Sequence, residues 1–334
     1  MPAKVYVVLV NYNNWQDTIA CLENLLLQDY ASFQIVLVDN ASTDDSPQFL
    51  RMWQHNQVRP FISVNHPLRK LLHIKAARRE LKGQEQKATE KGDIIFIESD
   101  RNLGFAGGNN LGLRYVAAQA DATYVWLLNN DTLLHTDAIS RCVNYMQSPR
   151  GHDKALAGCQ LNYFHNTKKA QCINGYHYTP ATGKIEANTD SNKAENVSFV
   201  AGASIFTRFQ WLQKPGPLQE DYFLYFEELD LCNKIRKLGG KIGFIPDLVV
   251  YHKEGAVINQ KTATEKRSFT ADFYSIRNRL LITRRFYPAC LPLVYLTMLV
   301  AIWNRARRGQ TDRIPIIIRL MISPEIMHFK FLPK

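Results

Sequence analysis

Apolar residues fall into two rhythms along this chain. Short unbroken runs read as buried strands: KVYVVLV at 4–10, QIVLV at 34–38, DIIFIE at 93–98 and TYVWLLNND at 123–131. A shorter strand is expected at 61–64. Between the runs the spacing becomes helical. Ile19, Leu22, Leu25 and Leu26 share one helical face, residues 102–120 read as a turn running into a helix, and 137–147 read as another helix. Such alternation implies right-handed crossovers and an α/β fold with a largely parallel central sheet flanked by helices. Ser42, three residues ahead of Asp45, has the spacing of a capping box for the helix after the second strand.

The second half is more mixed. ALAGCQLNYF and ENVSFVAGASIFTR suggest strands, and KIGFIPDLVVYH is another, ending at His252. A helix is expected from Glu227 or Glu228 to Leu238, stopped by Gly239 and Gly240. Residues 265–285 read as a helix with Phe269, Phe273, Ile276 and Leu280 on one face. With no internal repeat and no clean linker, the expected division is one catalytic domain, 1–285, and a hydrophobic and basic helical appendage, 286–334. Residues 66–92, rich in Lys, Arg, Gln and Glu, form a basic excursion between core elements, with a solvated helix expected from His73 to Lys91.

Composition narrows the class. At 334 residues and 46% hydrophobic the chain can bury one large core or two moderate ones, and 21% charged residues argue against global disorder. The start of the chain shows no basic region leading into a long apolar one, so no signal peptide is expected. Six scattered cysteines without CxxC spacing suit a reduced, intracellular protein. The net charge of +11 suits nucleic acid, anionic lipid or phosphorylated ligands alike. No zinc finger, RRM-like aromatic motif or recognition-helix pattern supports nucleic acid. The basic residues cluster at Arg69, Lys70, Lys75, Arg78, Arg79 and Lys82, and again around the apolar run 289–303, with Arg284 and Arg285 before it and Arg305, Arg307 and Arg308 after it. That run is short for a membrane span and contains Pro292, and a second, IPIIIRLMI, is interrupted by Arg319. Association with an anionic membrane surface is the favoured expectation, a buried helix or a homo-oligomer contact its rival.

Five places carry candidate chemistry. Asp39 ends a strand, where ligands of α/β sheets collect, and its carboxylate can accept hydrogen bonds from a nucleobase or ribose. Asn11 and Asn13 would border the same crevice, and ordinary turn chemistry is the rival explanation for all three. Gly104, Gly107 and Gly108 in NLGFAGGNN permit tight turns and close backbone approach, and the helix beyond could favour phosphate at its N-terminus. This is neither the GxGxxG dinucleotide fingerprint nor a P-loop. Asn129, Asn130 and Asp131 close an apolar strand, where Asp131 could ligate a divalent cation beside a diphosphate or cap a helix. EDYFLYFEELD sets Glu220, Asp221, Glu227, Glu228 and Asp230 among aromatic bulk, so a partly buried carboxylate could serve as a general base or simply favour a helix start. His252 could complete the metal site or be a structural histidine; no HExxH occurs.

Taken in order, VVLVNYNNW, VLVDNASTD, NLGFAGGNN, VWLLNND, FVAGAS, YFLYFEELDLC and HKEG resemble the GT-A inverting glycosyltransferases of family 2, especially the rhamnosyltransferase-like group, across residues 4–285. That resemblance implies a GT-A fold and transfer of a sugar, with inversion, from a nucleoside-diphosphate sugar to a saccharide hydroxyl in bacterial cell-surface polysaccharide synthesis. It implies Asp39 as the nucleobase contact, Asp131 as the last position of a DxD-type motif whose first Asp is Asn129, His252 as a further ligand of Mg²⁺ or Mn²⁺, and Glu228 as the base, with Glu227 its nearest competitor. Asn11, Asn13, Gly107, Asn130, Gly202 and Ala203 fall among the donor contacts, and Ser204 lies beside them. dTDP-rhamnose is the first donor expected; UDP-galactose, UDP-glucose, a UDP-N-acetylhexosamine and a noncatalytic glycan-binding role are the alternatives. The acceptor would be a saccharide or lipid-linked saccharide, and the setting the cytoplasmic face of the cell membrane.

Overall fold

The computed structural model describes residues 2–60, 62–63, 65–72, 81–83, 92–253 and 269–324. Its strands are β1 (Val5–Asn11), β2 (Phe33–Asp39), β3 (Leu81–Gly83), β4 (Ile94–Glu98), β5 (Tyr124–Leu128), β6 (Thr132–Leu134), β7 (Lys154–Tyr163), β8 (Ala170–Ile173), β9 (Gly175–Thr179), β10 (Lys184–Ala187), β11 (Phe199–Val200), β12 (Ser204–Arg208) and β13 (Lys241–His252). The helices are α1 (Trp15–Leu25), α2 (Ser46–Gln54), α3 (Gly104–Gln119), α4 (Ala138–Gln147), α5 (Gln210–Gln213), α6 (Glu227–Lys237), α7 (Phe269–Phe286), α8 (Leu291–Arg307) and α9 (Ile314–Ile322).

The main sheet runs β3-β4-β2-β1-β5-β12-β7-β13-β6, with β8 beside β7. From β3 to β5 every pairing is parallel, as the alternation predicts. β12 then enters antiparallel between β5 and β7, while β7 and β13 are parallel. Side chains alternate across β1. Val5, Val7 and Leu9 face α1, α2 and α4, whereas Tyr6 and Val8 face α3 and α6. Two apolar cores result, one on each face of the sheet. A small antiparallel sheet, β10-β9-β11, covers part of the second half.

Parallel strands put their carboxyl ends on one rim. Asn11 stands in register with Asp39, and Asp39 with Glu98. The apolar interiors of β1 and β2 therefore stop together at a polar edge.

Several local expectations need correction. Ser42 does not cap α2; its hydroxyl turns back to Asp39, and Asp45 holds the N-cap position without a side-chain bond. Residues 62 and 63 form no strand, and 61 and 64 lie outside the described residues. The strand hidden in the basic excursion is β3, which pairs with β4. Within the excursion's basic cluster, Lys82 is buried against Asp93 at 2.7 Å and Arg69 donates to the carbonyl of Ile62. Lys75, Arg78 and Arg79, with the rest of the helix expected at 73–91, lie outside the described residues. The start of the 265–285 helix does so too, and α7 is described from Phe269.

The last three helices form a bundle. Phe273, Ile276 and Leu280 of α7 meet Val294 and Met298 of α8 and Ile317 and Leu320 of α9. Phe223, Leu224 and Tyr225, from the segment before α6, pack against the same cluster. With its lead-in turn, α8 spans Pro288–Arg307, 20 residues, within which an 18-residue stretch has a mean hydropathy of 1.4 and is 11% buried. Pro292 sits in its first turn, where the missing N–H costs nothing.

Candidate active site

The polar rim is built from asparagines, a threonine and two carboxylates. Asp39 is 2% exposed. Its Oδ1 accepts from Asn11 Nδ2 and Ser42 Oγ, both at 2.7 Å, and its Oδ2 accepts the backbone N–H of Ser42 at 3.0 Å. The turn explanation is thus realised, and it leaves one lone-pair direction on Oδ2 for a ligand. Asn13, at φ 52, locks the facing loop: its Oδ1 accepts from Thr43 N at 2.7 Å and its N–H reaches Ser42 Oγ at 3.0 Å.

From Asp39 a directional chain of donors leads toward β5. Asn130 Nδ2 donates to Thr18 Oγ1, Thr18 Oγ1 donates to Asn11 Oδ1, and Asn11 donates to Asp39, each at 2.7 Å. Every donor is aligned toward the carboxylate, so each bond polarises the next. Thr18 was not singled out from the sequence. Its only signal was a polar residue on the buried face of α1.

Asp131 is not a helix cap, because β6 follows it. The strand pairing of β6 with the end of β13 puts Thr132 opposite His252. Asp131 Oδ1 lies 3.2 Å from His252 Nε2, is buried, and accepts no hydrogen bond among the described residues. The other ring nitrogen, Nδ1, meets Gln171 Oε1 at 2.9 Å, while Gln171 Nε2 donates to the His252 carbonyl at 2.8 Å. A proton on Nδ1 then makes Nε2 an acceptor, toward which Asn129 Nδ2 points at 3.3 Å. An orphaned carboxylate oxygen beside an imidazole lone pair, with a glutamine fixing the ring, is a donor set that fits a divalent cation. No third His, Cys, Asp or Glu joins them among the described residues. The remaining ligands would come from diphosphate and water, as hard cations accept. Gln171 is 81 residues from His252, and nothing in the sequence links them.

Of the five acidic residues around α6, three are occupied. Asp230, fully buried, pairs with Lys234 at 2.7 Å and Arg285 at 2.8 Å and accepts from Tyr222 Oη. Asp221 pairs with Arg285, and Glu220 accepts from Asn110. Glu227 and Glu228 remain, in the first turn of α6. Burial, and then the adjacent Glu228, push the Glu227 carboxyl well above the usual range. Burial pushes Glu228 up to about 7, against the pull of its own backbone N–H. Of the two, Glu228 keeps more contact with solvent.

The Glu228 carboxylate lies against Gly202. A Cβ there would be 1.9 Å from Oε1. The next residue, Ala203, accepts the backbone N–H of Asn129 at 3.0 Å. Glu228, Gly202, Ala203, Asn129, His252 and Asp131 therefore form one continuous run of contacts, and Asn130 continues it to Asp39. Ser204 faces inward instead, accepting from Trp126 Nε1. Gly107 faces Leu103 and Glu220, nearer to the segment before α6 than to Asp39.

That segment is strained. Phe223, Tyr225 and Phe226 have φ of 63°, 69° and 77°. Bulky residues held there cost about 1–3 kcal/mol each. Gly104, at φ 70°, allows the approach from α3: a Cβ on it would sit 2.2 Å from the Phe223 carbonyl oxygen, which accepts from Phe105 N at 2.7 Å. The close backbone approach expected of this glycine is made to the segment that leads into Glu228.

Comparison with known proteins follows the same outline. The profile of the family described as "Glycosyltransferase like family 2" matches residues 2–271. The low-salt glycan biosynthesis hexosyltransferase Agl10 of Haloferax volcanii is 23% identical over 300 residues, 88% of this chain and 80% of that one. Rhamnosyltransferase WbbL of Escherichia coli K12 is 23% identical over 159 residues, 45% of this chain and 60% of that one. Among solved structures, the mannosyltransferase PcManGT of Pyrobaculum calidifontis, in complex with GDP-Man and Mn²⁺, superposes with a TM-score of 0.52 at 15% identity, covering 96% of this chain and 86% of that one.

Proposed function

The chain belongs to the glycosyltransferase-like family 2, whose members move a sugar from a nucleotide-sugar to a saccharide hydroxyl, and from that premise we propose an inverting, metal-assisted transfer centred on Glu228, Asp131 and His252. The observation that carries the proposal is the unbroken run of contacts from Glu228 through Gly202, Ala203 and Asn129 to the His252–Asp131 pair. Asp39, Asn11, Asn13 and Asn130 border the donor nucleotide, and Gly202 and Ala203 border the sugar. Asp131 and His252 would hold Mg²⁺ or Mn²⁺, which when bound would offset the negative charge growing on the departing diphosphate. Glu228 takes the proton from the acceptor hydroxyl as its oxygen attacks C1. A single displacement inverts the anomeric carbon. The donor is a nucleoside-diphosphate hexose, with dTDP-rhamnose retained as one member of the panel. The longer relative is a hexosyltransferase, and the rhamnosyltransferase match covers less than half of this chain. The test is release of nucleoside diphosphate from UDP-, GDP- and dTDP-hexoses with Mg²⁺ or Mn²⁺ and saccharide acceptors. Release from at least one donor is expected; none from any donor, with binding intact, would favour the glycan-binding alternative.

Gly202 gives a sharper expectation. Its φ lies outside the left-handed region, so alanine suits the backbone and only the Glu228 carboxylate stands in the way. Gly202→Ala should displace the base by about an ångström and lower kcat on the order of a hundredfold, with little change in melting temperature. Steady-state kinetics beside a thermal melt decide it, and unchanged kcat would remove Glu228 from its assigned place.

Membrane association belongs to the same proposal. Leu293, Leu296, Leu299, Val300 and Trp303 of α8 are each at least half exposed, and Ile318 and Ile322 of α9 are exposed as well. Only part of the basic flank is free to meet lipid. Arg285 pairs with Asp221 and Asp230, Arg284 donates to Tyr295, and Arg305 and Arg313 pair with Asp272. Arg307 and Arg308 are exposed, with Arg307 lying over Trp303 at 4.6 Å. A helix of about 30 Å could span a bilayer by length. The bundle contacts of Val294 and Met298 favour lying on the surface instead. Sedimentation with anionic vesicles should retain the wild type and release a Leu296→Glu, Val300→Glu variant. Equal retention of both would exclude this face.

A further inference from the structure

Resting on Glu228 as the base, we propose that Asn278 of α7 is a positioning residue for the reaction: its side-chain amide holds the backbone of residues 222–226 in the shape that delivers Glu228 to the cleft. Three carbonyls converge on Asn278 Nδ2, those of Tyr222 at 2.8 Å, Leu224 at 2.7 Å and Tyr225 at 3.0 Å. Asn278 is fully buried. These carbonyls belong to the stretch in which Phe223, Tyr225 and Phe226 take positive φ. Such a path turns successive carbonyls inward, where a lost partner is not replaced by water. The two N–H bonds of one amide nitrogen are shared among the three.

The orientation of that amide is itself held. Arg277 Nη1 donates to Asn278 Oδ1 at 3.0 Å, so the oxygen end faces the guanidinium and the NH₂ end faces the carbonyls. The same Nη1 reaches the Asp221 carbonyl at 2.6 Å, and Arg277 Nε reaches the Pro324 carbonyl at 3.0 Å. Behind the segment, the Phe223 ring stacks on Tyr274 of α7 at 4.9 Å. From the other side, Phe105 N holds the Phe223 carbonyl. Phe226 leads directly into Glu227 and Glu228 at the start of α6. The amide of Asn278 and the backbone of α3 therefore grip one strained strap, and the strap ends on the base. Asp fits the space but brings an acceptor where donors are needed, and Ala brings nothing.

Asn278 touches neither donor nor acceptor, so its removal should act on turnover and spare binding. In the full-length protein, with the donor found active, Asn278→Ala should lower kcat on the order of 10- to 100-fold while donor KM stays within about twofold. Met298→Ala, a cavity variant in the same bundle that removes no hydrogen bond to the strap, serves as a control for stability. It should lower the melting temperature and leave kcat near wild type. If Asn278→Ala does not fold, Asn278→Ser, which keeps one donor, is read in its place, with a kcat loss of at least about threefold at unchanged KM. Unchanged kcat in the folded Asn278 variant overturns the proposal, as does an equal kcat loss in Met298→Ala. Wild type without transfer, or full transfer by Glu228→Gln, overturns instead the reading on which it rests.

Discussion

Glu228→Gln is expected to lower kcat roughly 10²- to 10⁴-fold, the contribution of a positioned general base, while donor affinity is kept. The amide fills the same space against Gly202 but cannot take a proton. Glu227→Gln should change kcat by no more than a few fold. Burial and the neighbouring Glu228 favour the protonated form of Glu227, which glutamine mimics. With Glu228 as the proposed base, the active form of the wild type is the one with Glu228 deprotonated, and burial pushes that carboxyl up to about 7. kcat should therefore rise with pH through about 7 and level off above it. The rising limb should be missing from the residual activity of Glu228→Gln. The reverse result, with Glu227→Gln dead and Glu228→Gln active, would move the base one residue back.

The second large effect is expected at the cation site. Asp131→Ala should lower kcat/KM on the order of a hundredfold or more, the several kcal/mol that a cation contributes at a departing diphosphate. His252→Ala should cost less, about tenfold, and should raise the Mn²⁺ or Mg²⁺ concentration needed for half-maximal rate. Chelation of the wild type should reduce turnover to the level of Asp131→Ala. A cation titration of the three proteins provides the measurement. Wild-type turnover that persists under chelation would mean that the Asp131–His252 pair serves the fold alone.

The parts of the structure that were legible in the sequence are those dictated by local pattern. KVYVVLV and QIVLV form the adjacent parallel strands β1 and β2, because unbroken apolar runs must be buried on both faces. The limits expected for α6 were right to within a residue, since Glu227 favours its start and Gly239 ends it. The parts that were not legible depend on partners far away in the chain. β3 is three residues long within a charged stretch and exists only by pairing with β4. Ser42 has capping spacing, yet a buried carboxylate three residues back offers it a stronger partner. Gly104 is legible as a point of close backbone approach, but the Phe223 carbonyl that makes the approach lies 119 residues later. Thr18, Gln171 and Asn278 are polar residues in otherwise ordinary elements, and only assembly of the rim and the bundle gives them their roles. Asp39, Asp131, Glu228 and His252 were nameable because strand ends and aromatic surroundings are local features.

The most direct test of the whole account is the anomeric configuration of the product. With the active donor, its cation and an acceptor, ¹H NMR of the first-formed glycoside reads the coupling at C1. One base and one displacement predict a product of configuration opposite to the donor's. A product that retains the donor's configuration would contradict the account, because a single displacement from the face opposite the departing diphosphate cannot give it.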